Sequence, residues 1–192
     1  LKKMNCKLIS IDGLVDYHNN LDLIFIPSFY FSSRSNLKVD IPVVFGWDCY
    51  LINTNKTQID WEPGKRVLVL TGGSDTTKLG KTLPSQLNNV LAEETELNWV
   101  TGPFADKPVF PKNNKFKVIN HQAPSALDEL MIKSNYALTV FGVSFFELLY
   151  HGVPTVVFSP YGNKDDNELN VIEAEGLALV AKDELDAIKK LE

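Results

Sequence analysis

Long apolar runs and paired cysteines are both scarce in this sequence. No apolar run approaches the ~20 residues needed to span a bilayer, and the N-terminus lacks the apolar core of a signal peptide. The two cysteines, Cys6 and Cys49, are too few and too far apart to form a disulfide framework. These absences exclude a transmembrane segment and predict a protein of the reducing cytoplasm.

Clustered positive charge is scarce as well. The formal net charge is −5, and the lysines and arginines are scattered along the chain. A nucleic-acid-binding surface is therefore not expected. Any phosphate group would have to be held mainly by backbone N–H groups and helix ends.

Complete signature motifs are also lacking. Gly80-Lys81-Thr82 matches the end of a P-loop, but Asp75 stands where that motif needs a glycine. The run from Gly142 to Ser144 matches the start of a nucleophile elbow, but Phe146 replaces its last glycine, so a serine hydrolase is not expected. No G-x-G-x-x-G fingerprint is present, which counts against a dinucleotide or flavin domain. The three histidines are far apart and no carboxylate cluster accompanies them, so no metal is predicted.

What the sequence does contain is a repeated strand–turn–helix pattern. Apolar runs of strand length at Tyr136–Phe141 and Pro154–Phe158 are each followed by a turn and an amphipathic segment. From Arg66 onward about six strands alternate with helices, which predicts an α/β fold with a doubly wound parallel sheet. The other predicted strands are Val67–Leu70, Leu97–Val100, Phe116–Ile119 and Leu177–Val180.

Helix boundaries in this region are predicted from capping residues. Pro84 is tolerated only in a first helical turn, so the first helix either begins near Thr82 or is kinked. Ser125 is predicted to cap a helix, Gly176 to end the helix before it, and Asp183 to cap the last helix.

The first third of the chain has short strands but too few helical segments to cover a parallel sheet. In order, its segments are Cys6–Ile11, Leu23–Pro27, a loop at Ser28–Asp40, and the extended stretch Val43–Ile52. A polar stretch that ends in the turn dipeptide Pro63-Gly64 follows. We therefore predict two domains, residues 1–62 and 63–192. The first is expected to be the C-terminal part of an α/β domain that begins before this chain.

Ligand chemistry is expected at the carboxyl ends of the strands, where open parallel sheets place their binding sites. Gly72-Gly73-Ser74 follows the first strand of the predicted sheet, and paired glycines let a backbone approach an anion closely. An ordinary tight turn explains these residues equally well. His121 lies just past a strand end, where a solvated loop histidine is the alternative interpretation.

Two interpretations of Ser144 and Glu147 stay open. Their S-x-x-E spacing is that of a capping box, which would use both side chains at a helix start. Alternatively, the Glu147 carboxylate accepts two hydrogen bonds from a vicinal diol. The spacing alone favours the capping box. Asp165 and Asp166 are likewise expected to cap a helix rather than to hold a metal.

A set of motifs at fixed places in the chain points further. They are Gly72-Gly73-Ser74-Asp75, 127–134 (LDELMIKS), 141–147 (FGVSFFE), Gly152-Val153-Pro154, 166–170 (DNELN) and, upstream, 48–52 (DCYLI). Together they resemble the C-terminal nucleotide-binding domain of GT-B fold enzymes that use UDP-sugars. The chain is similar to the UDP-sugar hydrolase of pseudaminic acid synthesis and its spore-coat polysaccharide relatives. It is more distantly similar to the peptidoglycan N-acetylglucosaminyltransferase.

The resemblance implies a set of nucleotide-sugar-binding residues. The Gly72 loop would face the sugar phosphate, the His121 segment the base, and the Gly142 loop at a helix start the diphosphate. Glu147 would hold the ribose hydroxyls, and two asparagines the donor sugar or diphosphate. The full set is Gly72, Gly73, Ser74, His121, Gln122, Ala123, Gly142, Val143, Ser144, Glu147, Asn167 and Asn170.

The implied function is the UDP-sugar-binding part of a glycosyltransferase or UDP-sugar hydrolase in surface polysaccharide or nonulosonate biosynthesis, with no cofactor or metal. The base and acceptor site would precede this chain, as would any peripheral membrane contact, so no catalytic residue is assigned. Phe141, Asp166 and Asn167 depart from the family's G-G-T-T-x-x-E and N-Q-x-x-N patterns and leave the donor open. The alternative is a catalytically silent nucleotide-binding or scaffolding module of the same fold.

Overall fold

The computed structural model describes residues 6–11, 15–27, 29, 39–52, 54, 56 and 60–192. The chain divides into two compact units, Leu1–Asn53 and Thr54–Glu192, called the N-terminal and C-terminal units below. The division lies ahead of the predicted boundary at residue 62. Most of the predicted loop Ser28–Asp40 lies outside the described residues.

The N-terminal unit contains a three-stranded parallel sheet with β2 in the middle. Its elements are β1 (Ile9–Ile11), a 3₁₀ helix (Val15–Asn20), β2 (Leu23–Ile26), β3 (Val43–Phe45) and a second 3₁₀ helix (Trp47–Cys49). The prediction that Val43–Ile52 is extended throughout is wrong beyond Phe45. Gly46 adopts a φ of +120°, which glycine tolerates because it has no Cβ, and the chain turns there.

The C-terminal unit contains a six-stranded sheet in which all neighbouring strands are parallel. The strand order is β6-β5-β4-β7-β8-β9. In chain order the elements are β4 (Arg66–Leu70), α1 (Leu79–Val90), β5 (Glu96–Thr101), β6 (Lys117–Gln122), α2 (Leu127–Ile132), β7 (Tyr136–Val140), α3 (Val143–Tyr150), β8 (Thr155–Phe158), a 3₁₀ helix (Gly162–Asp165), α4 (Asp166–Ala174), β9 (Leu179–Val180) and α5 (Glu184–Leu191). The predicted doubly wound α/β fold is confirmed.

The strand order reverses between β4 and β7. From β4 the chain moves outward to β5 and β6, returns through α2 to the other side of β4, and continues outward through β7, β8 and β9. The loops that leave the carboxyl ends of β4 and β7 therefore run apart and open a crevice, the topological switch point of such sheets. One connection departs from the predicted alternation, because residues 102–116 join β5 to β6 without a helix.

Alternate residues of β4 face opposite sides of the sheet. Val67 and Val69 belong to the core that contains residues of α1 and α5, whereas Leu68 and Leu70 belong to the core that contains residues of α2 and α3. A strand covered on both faces is apolar at successive positions, which explains the unbroken run VLVL. Burial of each side chain contributes about 1.5 to 3 kcal/mol, so β4 is firmly held where the crevice opens.

The predicted ends of the last two helices are confirmed. Gly176 has a φ of +67° after α4, and its N–H donates to the Glu173 carbonyl at 3.1 Å, as in a Schellman motif. Asp183 precedes α5 and accepts a hydrogen bond from the Asp186 N–H at 2.8 Å.

The start of α2 differs from its prediction. Ala126, not Ser125, precedes the first helical residue, and no side chain caps it. The Asp128 carboxylate instead accepts the Glu129 N–H at 2.9 Å. A negative charge within the first turn favours the helix through its dipole, so α2 forms without the predicted serine cap.

Pro84 lies inside α1 rather than in its first turn, so the predicted helix start near Thr82 is wrong. The helix begins at Leu79, whose N–H donates to the Asp75 carboxylate at 2.9 Å. Proline offers no N–H to the Gly80 carbonyl one turn earlier. The Val109 N–H of the β5–β6 segment donates to that carbonyl instead, at 2.8 Å. Pro84 thus leaves an acceptor that attaches the β5–β6 segment to α1.

Candidate functional site

A pocket of about 280 Å³ lies between the loops that follow β4 and β7. One wall is formed by 71–75 and the other by 139–144, and Tyr161 from the loop after β8 also lines the pocket. Because β4 and β7 are neighbours in the sheet, this pocket occupies the switch point itself.

A second pocket of about 300 Å³ shares Thr71, Gly72, Gly73 and Ser144 with the first. We refer to the two pockets together as the switch-point cleft. The second pocket is the more apolar, since its additional lining residues are Leu70, Val100, Gly102, Pro103, Ala123, Pro124 and Leu127. The cleft therefore combines a polar end beside α3 with an apolar end beside β5 and the loop after β6.

The fold requires glycine at neither Gly73 nor Gly142, two glycines that line the cleft. Gly72, directly before Gly73, does require glycine, because its φ is +89°. Gly73 has no positive φ, and Gly142 is extended with a φ of 162°, a conformation open to any residue. A Cβ built on either would meet no protein atom within 4 Å. Their missing side chains leave open backbone on both walls of the polar end.

Gly102 allows the backbone of the Gly72–Gly73 loop to pack directly against it. A Cβ on Gly102 would overlap the backbone of Gly73 and would lie 2.6 Å from the Gly72 carbonyl oxygen. The Phe104 N–H donates to the Gly73 carbonyl at 3.0 Å. Sequence reasoning missed Gly102, although a Gly-Pro dipeptide directly after a strand is a turn signal that could have drawn attention to it.

The residues at the start of α3, Gly142, Val143 and Ser144, line the polar end. The first amide of this region with a bond is Phe145, which donates to the Gly142 carbonyl at 3.1 Å. Within the described residues, the amides of Gly142, Val143 and Ser144 have no hydrogen-bond acceptor. Unpaired N–H groups at a helix N-terminus favour a bound anion, and the helix dipole adds to their effect.

The start of α1, by contrast, is already occupied. Asp75 lies in the left-handed region with a φ of 42°, and its buried carboxylate accepts the N–H groups of Leu79 and Gly80 at 2.9 and 2.8 Å. The amides of Leu79 and Gly80 are therefore not available to a phosphate. The helix end available to a phosphate is therefore that of α3.

Tyr161 is a cleft residue that sequence reasoning did not identify. Its hydroxyl lies 3.0 Å from the Thr76 hydroxyl, so it bridges the loops after β4 and β8. The Tyr161 N–H donates to the Ser159 hydroxyl oxygen at 3.2 Å, and that hydroxyl donates to Asp165 at 2.6 Å. The Lys164 ammonium lies 5.3 Å from the centre of the tyrosine ring. Asp165 thus supports the loop that carries Tyr161.

Of the predicted base-reading segment, only Ala123 lines the cleft. Its φ is 40°, and its N–H donates to the Thr101 carbonyl at 2.8 Å. His121 lies within β6, where its Nε2 is 2.8 Å from the Asn98 Oδ1. The Gln122 side-chain amide donates to the Gly102 carbonyl at 3.3 Å. His121 and Gln122 therefore have partners in the sheet and in the loop that supports the cleft.

The capping-box interpretation of Ser144 and Glu147 is wrong. Helix α3 begins at Val143 after Gly142, so Ser144 is already helical and no side chain caps the helix. Ser144 lines the cleft, but Glu147, one turn further, does not. Burial raises the pKa of the Glu147 carboxyl, and the Asp128 carboxylate adds to the effect. No hydrogen bond to this carboxylate is present among the described residues.

Asn167 and Asn170 lie apart from the cleft. Both are exposed residues of α4, and neither lines either pocket. Of the twelve residues predicted for the site, the structure brings together those of the two glycine loops and Ala123. The cleft members of that set are Gly72, Gly73, Ser74, Ala123, Gly142, Val143 and Ser144.

Acid–base groups are sparse in the cleft. Asp75 is the one carboxylate among its described lining residues, and both of its oxygens accept backbone N–H groups. In the part of the chain that the structure describes, no group of three or more histidine, cysteine, aspartate or glutamate residues is placed to hold a metal ion. The geometry favours anion binding over proton transfer.

Neither a scan against protein-family models nor a search of curated proteins gives a match to this chain. Among the described helices, none has the length and apolar character required to cross a membrane.

Proposed function

We propose that the C-terminal unit binds a nucleotide-sugar, with a UDP-sugar as the first candidate. The unit would be the donor-binding part of a glycosyltransferase or UDP-sugar hydrolase in surface polysaccharide or nonulosonate biosynthesis. The observation that carries the proposal is the pair Gly73 and Gly142. Both face the switch-point cleft, and the packing and backbone of the chain require glycine at neither position. Close approach of a ligand to the backbone accounts for both.

The diphosphate is assigned to the polar end of the cleft. There the N–H groups of Gly142, Val143 and Ser144 have no partner among the described residues, and the α3 dipole favours negative charge. Among the residues that the structure describes, no lysine or arginine lines the cleft. The backbone therefore supplies the donors, as the scattered basic residues of the sequence suggest.

The base and ribose are assigned to the apolar end. Leu70, Val100 and Pro103 form walls against which a flat ring can pack, and Ala123 lies beside them. Glu147 would accept the ribose hydroxyls, as the family resemblance implies. Its carboxylate is half-buried without a donor among the described residues, so two hydroxyl hydrogen bonds would satisfy it. Glu147 lies outside the lining of the cleft, and the ribose would have to reach past Ser144 to meet it.

The mechanism implied is electrostatic. Backbone amides at the α3 start would stabilise the charge that develops on a departing UDP. A general base would come from residues other than those lining the cleft, because Asp75 has both oxygens engaged. The reaction would be glycosyl transfer to an acceptor or to water.

A panel of nucleotides tests the proposal. The full chain is heated with UDP, GDP, CMP or NAD, and each ligand that raises the melting temperature is titrated by calorimetry. A ligand at one hundred times its Kd stabilises the fold by about 2.7 kcal/mol, which corresponds to roughly 5 to 10 °C for a chain of this size. We expect that shift with UDP and a much smaller one with NAD. An unchanged melting temperature with all four nucleotides would rule the proposal out.

A catalytically silent nucleotide-binding or scaffolding module is the second candidate. It is favoured by one observation, the shortage of free acid–base groups among the residues that line the cleft. The two functions differ in turnover. An enzyme would release UDP from a UDP-sugar over time, whereas a binding module would bind UDP and release none above the uncatalysed rate.

A further inference from the structure

A smaller pocket of about 160 Å³ adjoins the cleft and shares Ser74 and Asp75 with it. Three lysines line this pocket, namely Lys78, Lys81 and Lys107, and we call it the lysine pocket. The proposed function assigns no role to it.

The fold brings these lysines together from two segments. Two of them lie at the start of α1, whereas Lys107 lies in the segment between β5 and β6. The Val109 N–H donates to the Gly80 carbonyl at 2.8 Å, and the Phe104 N–H donates to the Gly73 carbonyl at 3.0 Å. Both bonds attach the β5–β6 segment to the loop and helix after β4. The first exists because Pro84 leaves that carbonyl without its helical donor.

The lysine pocket presents unpaired positive charge. In the part of the chain that the structure describes, no ion pair includes any of its three lysines. Its two acids are Asp75, which is engaged with backbone N–H groups, and Asp106. Phe104 also lines the pocket and leaves 85% of its surface exposed. An exposed aromatic ring beside free cations suits a ligand that has both an apolar face and an anionic group.

The positions of the negative charges on a nucleotide-sugar indicate which anionic group could reach the lysine pocket. In the proposed complex the diphosphate is held at the α3 start, and Ser74 and Asp75 separate that position from the lysine pocket. A further negative charge on the same ligand would be carried by its sugar. We infer that the lysine pocket binds the carboxylate of an acidic sugar, so that the preferred ligand is a UDP-linked uronic acid. This inference rests on the proposed function and names its substrate class.

Calorimetry on the full chain tests the inference with UDP, UDP-glucose and UDP-glucuronate. An exposed ion pair changes affinity by a factor of roughly 1.5 to 5. If the carboxylate contacts two of the lysines, UDP-glucuronate should bind roughly 2-fold to 25-fold more tightly than UDP-glucose. This margin should shrink in about 0.5 M salt, where exposed charges are screened.

A triple variant locates the preference. Lys78→Gln, Lys81→Gln and Lys107→Gln together should abolish it while leaving the affinities for UDP and UDP-glucose within about twofold. The matched control replaces three exposed lysines that lie outside the pocket by glutamine, which changes the net charge equally and should keep the preference. The control positions are Lys112, Lys115 and Lys189.

Each contrary result has a distinct meaning. Equal affinity of the parent for the two UDP-sugars overturns this inference and leaves the proposed function intact. Absence of any binding by UDP compounds overturns both. If the triple variant loses affinity for UDP itself, the lysines hold the diphosphate and the inference is wrong. If free glucuronate binds the UDP-saturated protein while UDP-glucuronate has no advantage, the acid arrives on a separate molecule, which also overturns it.

Discussion

Alanine at Gly73 or Gly142 should separate ligand binding from folding. At both positions a Cβ has no protein atom within 4 Å, and neither backbone is in the left-handed region. Alanine restricts the unfolded chain, which stabilises a protein by about 0.4 to 1 kcal/mol where the native conformation accepts it. At Gly142 a weaker N-cap preference for alanine offsets that gain. Neither variant should be less stable than the parent by more than a few tenths of a kcal/mol.

The same methyl group occupies the space through which a ligand reaches the loop amides. A phosphate oxygen accepts an N–H at about 2.9 Å, whereas non-bonded carbon contacts lie near 3.5 Å or beyond. The oxygen must therefore retreat or lose its alignment with the amide. A hydrogen bond to a charged group contributes about 1.5 to 3 kcal/mol, so loss of one bond lowers UDP affinity roughly tenfold to hundredfold.

Titration calorimetry with UDP and urea denaturation, both on the full chain, measure the two effects separately. Gly176→Ala is the reciprocal control, because Gly176 has a φ of +67° at the end of α4 and is not among the residues lining the cleft. That variant should lose about 1 to 2 kcal/mol of stability and keep its UDP affinity. If Gly73→Ala and Gly142→Ala bind UDP as tightly as the parent, the ligand does not approach these loops and the reasoning fails.

Three further substitutions have defined outcomes. Glu147→Gln should weaken UDP roughly tenfold in calorimetry. In the parent, the free energy of unfolding should fall as the pH rises above 4.5, because the Glu147 pKa is raised in the folded state and the unfolded chain loses this proton first. Glu147→Gln should remove that fall; a melting temperature that depends on pH as in the parent would contradict this. In the parent, stability should fall as the pH drops below 6.5, because burial lowers the pKa of the folded His151 imidazole and the unfolded chain takes up a proton first; the Asp128 carboxylate offsets this only partly. His151→Leu should lessen that fall, and a melting temperature with the same pH dependence as the parent would refute it. Gly102→Ala should cost about 1 to 3 kcal/mol in urea denaturation through its clash with the Gly73 backbone, and an unchanged midpoint would show that the loop can move aside.

The sheet of the C-terminal unit could be predicted because its strands are identified by short, local sequence patterns. The VLVL run of β4 and the TVVF run of β8 are continuous apolar stretches bounded by turn residues, which indicates strands buried on both faces. Gly176 and Asp183 were predictable for a related reason. A positive φ and a side-chain cap are properties of one residue and its nearest neighbours.

The start of α1 could not be predicted because its stabilising contacts are not local. Propensity alone places Pro84 in a first turn. The structure places it inside the helix, where the Val109 N–H, far along the chain, serves the Gly80 carbonyl that Pro84 cannot. The path of the β5–β6 segment could not be predicted for the same reason, because hydrogen bonds to α1 and to Gly73 fix it rather than a sequence pattern of its own.

The candidate site was predictable as a place but not as a list of residues. That both glycine loops follow strands is visible in the sequence; that they face each other depends on β4 and β7 being neighbours. Gly102 and Tyr161 went unidentified because their contacts to the Gly73 and Thr76 loops join distant segments. The family resemblance suggested Asn167 and Asn170 as site residues, but both lie exposed on α4 outside the cleft.

The starts of α1 and α3, both next to the switch-point cleft, differ in whether their amides already have hydrogen-bond acceptors. At α1 the Asp75 carboxylate accepts the first amides of the helix, whereas at α3 the amides of residues 142–144 have no acceptor among the described residues. In the proposed complex the amides open to a diphosphate are therefore those of α3. Because the same carboxylate has both oxygens engaged, it is not available as a general base. Catalytic release of UDP from a UDP-sugar would therefore require an acid–base group from outside the residues that line the cleft.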